Sequence, residues 1–365
     1  MTPARPGVLI LHHAPSGAAA DPATWRASDA GVLAEVAAVA AALDRLGVPH
    51  RTAAVARLAD LPAVLAAAPE ATVFNLVEDF DGATADAAAV PAVCRAFGKA
   101  FTGNDSPCLA LALDKGRTKA VLQAAGLPCP AGVVVPPGEK VPAAAKLPRG
   151  PYIVKPAAAD ASEGIDAASV VQKAGAALTR AVARIHREFR QAAVIEQFID
   201  GRELNVSVLH RGMQLAPGEY TGGRSYDGGP PCIHGGLIGC GGDVEVLPIA
   251  EIDFSAFPDG QPRIVDYAAK WLPETFAYNN TPRILPARLT ARHAEAVRRL
   301  ARAAWDALGC RGYARVDFRL DARGRPFILE VNPNPDISPD AGFAAALAAA
   351  GIPYEAFVAE MIDYS

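Results

Sequence analysis

The sequence predicts an α/β protein of two or three domains, and three observations carry that reading. In the first hundred residues short apolar runs alternate with helical periodicity, the pattern of a parallel sheet with crossover helices. At 365 residues the chain is too long for one ordinary core. Hydrophobic residues make up 51% and charged residues 20%, which is ample for packing and argues against disorder.

The elements follow in order. "VLILHH" (8–13) reads as a buried strand, and a helical pattern across roughly 29–47 closes at Gly47. "TVFNLV" (72–77) is a further strand that runs into the acidic turn "EDFDG". "TGNDSP" (102–107) is the first dense cluster of breakers and marks a domain boundary. One helix is expected across 108–125, stopped by Gly126 and Pro128. "YIVKP" (152–156) is a strand ending at its proline, followed by the small, polar loop "AAADASEGID". A helical pattern near 173–190 leads to the strand "AVIEQFI" (193–199); Asp200-Gly201 is a two-residue turn signal before the strand "RELNVSVLH" (202–210). The Gly-rich stretch 221–242 is too long for a simple turn and is expected to be a mobile or substrate-covering loop. Residues 291–309 form an amphipathic helix ending at Gly309, with His293 on its surface.

Bulk properties narrow the function. A formal net charge of −4 gives no electrostatic footprint for nucleic acid or an anionic membrane. No apolar window is long enough to span a bilayer, and the N-terminal apolar run is too short for a signal peptide, so a cytoplasmic location is expected. The six cysteines are scattered and suggest no disulfide framework. Cys232, His234 and Cys240 fit no common zinc spacing and lack a fourth ligand.

"ARVDFRLDARGRPFILEVNPNPDISPD" (314–340) carries acids inside two apolar runs. A four-residue loop, Ala322 to Arg325 with Gly324 at positive φ, pairs residues whose numbers sum to 647. Leu320 then faces Phe327, Phe318 faces Leu329 and Val316 faces Val331, all on one face of the hairpin. The other face sets Asp317 opposite Glu330 and Arg315 opposite Asn332. Opposed carboxylates with Cβ atoms about 5 Å apart repel, so a cation belongs between them. Oxygen donors without thiol or imidazole suit a hard ion such as Mg²⁺. An exposed sheet face neutralised by Arg315 and Arg319 is the rival reading; the rigid "NPNPDISP" run beside the acids weighs against it. Lys155 ends a strand before a loop in which Ser162 and Gly164 suit an anion cradle, although neither a P-loop nor a dinucleotide-binding glycine fingerprint occurs.

"DKGRTKAVLQAAGLPCP", "YIVKP", the Ser-Gly loop, "VIEQFIDGRE", "YAAKW", "ARVDF" and "ILEVNPNP" occur in that order. Together they resemble the ATP-grasp superfamily, in the D-alanine–D-alanine ligase-like branch, from about residue 72 to the end. The resemblance implies an N-terminal α/β domain (1–106), a central domain (107–198) and a C-terminal domain (199–365), with ATP gripped between the last two. It implies that Lys115 and Lys155 contact phosphates and that Ser162 and Gly164 cover them. Glu196, Gln197 and Ile199 fall in the adenine-binding linker, with backbone groups of Gln197 and Ile199 reading the base, and Glu203 matches the ribose acid. Lys270 matches the lysine at the γ-phosphate. Asp317, Glu330 and Asn332 match the Mg²⁺ ligands, where Mn²⁺ is also acceptable, and Arg315 the arginine at the reacting centre.

The implied chemistry is carboxylate–amine ligation through an acyl phosphate, on small carboxylate and amine substrates such as amino acids or peptides, with a homodimer compatible with the family. A carboxylate phosphotransferase and a catalytically silent nucleotide-binding protein are the alternatives. Four positions depart from D-alanine–D-alanine ligases proper. Asp336 and Ala341 stand where a Gly and a Ser hold the second substrate's carboxylate, and Ala161 and Trp271 replace a Ser and a Tyr of the first-substrate triad. No Glu for that triad is evident near "LHHAPSG". Ser338-Pro339 is expected to start the helix "PDAGFAAALAAAG", whereas Asp336 has no evident capping duty and is expected to meet a cationic or polar group.

Overall fold

The computed structural model describes residues 7–15, 31–211 and 243–365. The Gly-rich stretch 221–242, with Cys232, His234 and Cys240, lies outside the described residues.

The chain builds three sheets in succession. The first contains β1 (Val8–His13), followed by α1 (Val32–Leu46), β2 (His50–Val55), α2 (Leu61–Ala67), β3 (Thr72–Leu76), α3 (Thr84–Ala87), α4 (Val90–Ala96) and β4 (Ala100–Phe101). Its order is β2-β1-β3-β4 with every pair parallel, as the alternating pattern predicts. β1 is buried along its whole length because both faces are covered. Leu9 and Leu11 pack with Leu61 and Leu65 of α2 and Val90 of α4; Val8 and Ile10 pack with Val39 and Leu43 of α1. α1 ends at Gly47 in the left-handed conformation, which returns its N–H to the Asp44 carbonyl.

The single helix expected over 108–125 is instead two, α5 (Ser106–Leu113) and α6 (Lys115–Ala124). Asp114 breaks them: its backbone is extended, and its carboxylate caps the Arg117 N–H, a better use of Asp than a helix interior. Then come β5 (Gly132–Val135), β6 (Tyr152–Pro156), β7 (Val170–Val171), α7 (Ala176–Glu188) and β8 (Ala193–Gln197). These strands form an antiparallel sheet, β5-β8-β6-β7, covered by Leu178, Val182 and Ile185 of α7.

β9 (Arg202–Arg211) opens the third sheet, so Asp200-Gly201 does not close a hairpin between β8 and β9, which belong to different sheets. The glycine is needed for a different reason. A Cβ at Gly201 would lie 1.8 Å from the Leu320 carbonyl oxygen, so only glycine permits this approach to the neighbouring strand. β10 (Asp243–Val246), β11 (Ala250–Ile252), α8 (Tyr267–Trp271), α9 (Phe276–Asn279), β12 (Arg283–Ile284), α10 (Ala291–Leu308), β13 (Tyr313–Leu320) and β14 (Pro326–Asn332) follow. The sheet runs β12-β11-β9-β13-β14, with β10 also on β9, all antiparallel.

Alternation sorts this sheet into two faces. Leu204, Val206 and Val208 of β9 and Val316, Phe318 and Leu320 of β13 pack with Val297, Leu300, Ala304 and Trp305 of α10. The intervening residues, Glu203, Asn205, Arg315, Asp317 and Arg319, turn to the other face. Two last helices, α11 (Gly342–Ala349) and α12 (Tyr354–Tyr364), return to the first sheet, where Phe343 and Phe357 join the cluster of Val39 and Leu43. α11 begins at Gly342 with Ala341 before it, so Ser338 is not its N-cap. Ser338 lends its carbonyl to the Ala341 N–H (3.0 Å) and its hydroxyl to Asp340 (3.1 Å), closing a turn one step before the helix. Among the described residues no single helix is long and apolar enough to cross a membrane.

Candidate active site

The hairpin register is correct where the acids lie and wrong by one near the turn. Arg315 pairs Asn332, Val316 pairs Val331 and Asp317 pairs Glu330, as expected. Beyond a bulge after Asp317 the pairing becomes Phe318 with Ile328, Arg319 with Phe327 and Leu320 with Pro326. The loop is shorter than expected, since Asp321 N–H already bonds the Arg325 carbonyl (3.1 Å), with Gly324 at φ +73° inside it. Leu329 is the extra residue that restores the register at the acids. Its carbonyl accepts from Lys119 Nζ at 2.9 Å, so the bulge ties β14 to α6.

On the polar face Arg315 donates from Nε and Nη2 to the two oxygens of Asp317, each at 2.8 Å. Asn205 Nδ2, the neighbour on β9, donates to the same carboxylate at 2.8 Å. Beside them Glu203 accepts from Arg319 at 2.6 Å, and Arg319 also donates to the Gly201 and Arg263 carbonyls. Arg319 therefore neutralises Glu203 rather than the hairpin acids. Neither Asn205 nor this pairing was expected, although Glu203 and Asn205 stand two apart in an apolar run and so must share a face.

Glu330 is the centre of charge. Burial alone would raise its pKa, yet Lys115, Lys270, Lys155 and Arg315 together pull it down to about 2. Four cations, from α6, β6, α8 and β13, thus act electrostatically on one carboxylate. Lys115 Nζ donates to the Ala159 carbonyl. Lys270, on α8 behind the Asp266 cap, has its pKa lowered by burial first and by Arg315 second. A second ionic knot lies next to this one. Glu196, 1% exposed, sits between Lys119 (2.8 Å) and Lys155 (2.9 Å). Its own burial is outweighed by the two lysines, which hold its pKa below the ordinary carboxylate value. Burial pushes both lysines down; it prevails at Lys119, which also has Lys155 as a like-charged neighbour, whereas at Lys155 the carboxylates of Glu196 and then Glu330 outweigh it and raise the pKa.

The loop after β6 is docked on the segment leading into α8. Ser162 Oγ donates to the Val265 carbonyl (3.0 Å), Tyr267 N–H to the Ile165 carbonyl (3.2 Å) and Trp271 Nε1 to the Ala161 carbonyl (3.0 Å). Gly164 offers its carbonyl to Arg184 at 2.9 Å. In the linker, Gln197 N–H is engaged by the Ala131 carbonyl (2.8 Å), which leaves it nothing to donate to a base edge. Ile199 is 7% exposed.

The residues fit a hard divalent cation. Asp317, Glu330 and Asn332 lie at one end of the strand pair and offer only oxygen. Among the described residues no three His, Cys, Asp or Glu side chains are grouped so that they could hold a metal ion. Asp317 would have to share its oxygens with Arg315, and Asn332 Oδ1 already accepts from Asn334 N–H (2.9 Å). Asp336, expected to lack a local duty, accepts from Ser338 N–H at 2.8 Å and organises the turn before α11.

Comparison with known proteins agrees with this architecture. The model of the family described as "D-ala D-ala ligase C-terminus" matches residues 233–363. A D-alanine–D-alanine ligase of Actinobacillus pleuropneumoniae is 30% identical over 295 residues, 80% of each chain. The chain belongs to the D-alanine–D-alanine ligase-like branch of the ATP-grasp superfamily. Another relative, the uncharacterised protein y4sG of Sinorhizobium fredii, is 29% identical over 291 residues, 80% of this chain and 73% of its own length. The crystal structure of a Bacillus anthracis D-alanine–D-alanine ligase complexed with ATP superposes with a TM-score of 0.67 over 98% of this chain and 97% of that one, at 18% identity. That likeness establishes an ATP-grasp fold, and membership of the branch makes this chain an ATP-grasp ligase of the ADP-forming kind.

Proposed function

We propose that this ATP-grasp ligase joins a small carboxylate to an amine at the expense of ATP, with an acyl phosphate between the two half-reactions. The observation that carries the reading is the polar hairpin face, where Asp317 pairs with Glu330 beside Arg315 and Asn332, under the combined field of Lys115, Lys155, Lys270 and Arg315, a set of charges suited to a triphosphate with its cation. Glu330, Asp317 and Asn332 would hold Mg²⁺, or Mn²⁺, which supplies charge neutralisation at the phosphates. Lys115 and Lys155 bind phosphate oxygens, and the Ser162–Gly164 loop covers them. Ile199 and the Gln197 carbonyl border the base, and Glu203 takes the ribose hydroxyls. Lys270 and Arg315 offset the charge that accumulates as a substrate carboxylate attacks the γ-phosphorus and ADP departs. Arg315 then steadies the oxyanion formed when the amine attacks the acyl phosphate, before phosphate leaves.

The substrate pair differs from two D-alanines. Ala341 has no side-chain donor for a carboxylate, and α11 behind it lacks a side-chain cap. Asp336 places a negative charge at the same end, and the Trp271 indole N–H is spent on the Ala161 carbonyl. ADP release should therefore be absent or weak with D-alanine alone and strong with a different carboxylate–amine pair from a panel of amino acids, peptides and amines. Efficient formation of D-alanyl-D-alanine would overturn the restriction. An acyl phosphate as final product, with no amine consumed, would favour a phosphotransferase instead.

A further inference from the structure

Two cysteines far apart in sequence meet outside the charged cleft. Cys108 lies on α5 and is 3% exposed; Cys310 follows the Gly309 cap of α10 and is partly exposed. Their sulfurs are 3.6 Å apart across 202 residues of chain. The backbone around both is pinned. Asn104 Nδ2 donates to the Tyr313 (2.8 Å) and Pro333 (2.7 Å) carbonyls, and its Oδ1 accepts from Arg311 N–H (2.7 Å). A Cβ at Gly312 would lie 3.1 Å from Gly103 Cα, so the two segments touch as bare backbone. The other described cysteines lie elsewhere: Cys94 is in the core of the first sheet, and Cys129 sits near Lys119 and Glu196.

The geometry points to Cys108 and Cys310 as a redox-sensitive pair that a low-molecular-weight disulfide oxidises to an intramolecular cross-link. Bringing the sulfurs from 3.6 Å to a bond of about 2.05 Å takes roughly 1.5 Å, which χ1 rotations of two short side chains can supply. The order follows from exposure. The Cys310 thiolate, reachable from solvent, attacks the small disulfide and expels one thiolate, leaving a mixed disulfide. Cys108 then loses its proton to solvent and attacks the Cys310 sulfur, expelling the second thiol. Two protein thiols are oxidised and one small disulfide is reduced to two thiols. The contact with Cys108 and then burial raise the Cys310 pKa, so the thiolate is scarce at neutral pH and the exchange quickens as pH rises. The bond would join the root of α5, which leads through Asp114 to Lys115, to the root of β13, which carries Arg315. It would thereby fasten together two limbs of the cleft.

Two neighbouring thiols can also pack merely as small apolar groups, and trapping separates the cases. The full-length folded protein is treated with oxidised glutathione, alkylated and digested without reduction. A linked pair of peptides containing Cys108 and Cys310 is expected, absent after dithiothreitol. In Cys108→Ser, the glutathione adduct should instead accumulate on Cys310. Recovery of both cysteines as alkylated thiols from the wild type, or an adduct on Cys310 that Cys108 never resolves, would overturn the proposal. Because the readout is the bond itself, it stands apart from the outcome of any substrate assay.

Discussion

Glu330→Gln is expected to yield a folded protein with ADP release reduced at least about a hundredfold, the scale on which single electrostatic groups at reacting centres act. Glutamine keeps the side-chain volume and the pairing of β14 with β13, so the change is one of charge. It removes the carboxylate on which Lys115, Lys270, Lys155 and Arg315 act electrostatically and leaves the cation a neutral ligand in its place. Circular dichroism and a thermal unfolding curve check the fold, and the substrate pair found by the ADP screen supplies the assay. Wild-type turnover in a folded Glu330→Gln protein would mean that the hairpin acid is not at the reacting centre.

Glu196→Ala tests stability instead. The carboxylate is fully buried between Lys119 and Lys155, so its removal leaves two lysines facing each other without a counter-charge. Lys119 keeps only the Leu329 carbonyl. Breaking a buried pair from one side costs about 3–5 kcal/mol, a large fraction of a domain's stability. Denaturant unfolding should show that loss in the transition of the central sheet. A change within roughly 0.5 kcal/mol, the range of an ordinary surface substitution, would show that the knot is not the structural tie described.

The parts of the molecule that alternation controls were legible in the sequence. A period of two fixes which residues of β13 and β14 share a face whatever the loop does, so Asp317, Glu330, Arg315 and Asn332 could be grouped correctly. Events that depend on a distant partner were not. The bulge at Leu329 is stabilised by Lys119 from α6, and the break at Asp114 by a cap that a continuous helix pattern conceals. Gly201 reads locally as a turn residue; the Leu320 carbonyl that demands it lies over a hundred residues away. Asp336 looked free because its partner, the Ser338 N–H, is a backbone group without a sequence signature. Pairing between side chains was likewise hidden: nothing local to Glu196 says that two lysines will clasp it, or that Arg319 will choose Glu203 over the hairpin acids.

The central claim is that a nucleotide with its divalent cation sits between the hairpin acids and the four cations. The direct measurement is the thermal unfolding midpoint of the wild type with a non-hydrolysable ATP analogue, with and without Mg²⁺. Ligand at a hundred times its Kd stabilises a folded protein by about 2.7 kcal/mol, so a saturable rise of the midpoint is expected. That rise should need both analogue and Mg²⁺ to reach its full size and should shrink in Glu330→Gln. No shift at any concentration of analogue, with or without the metal, would contradict the account.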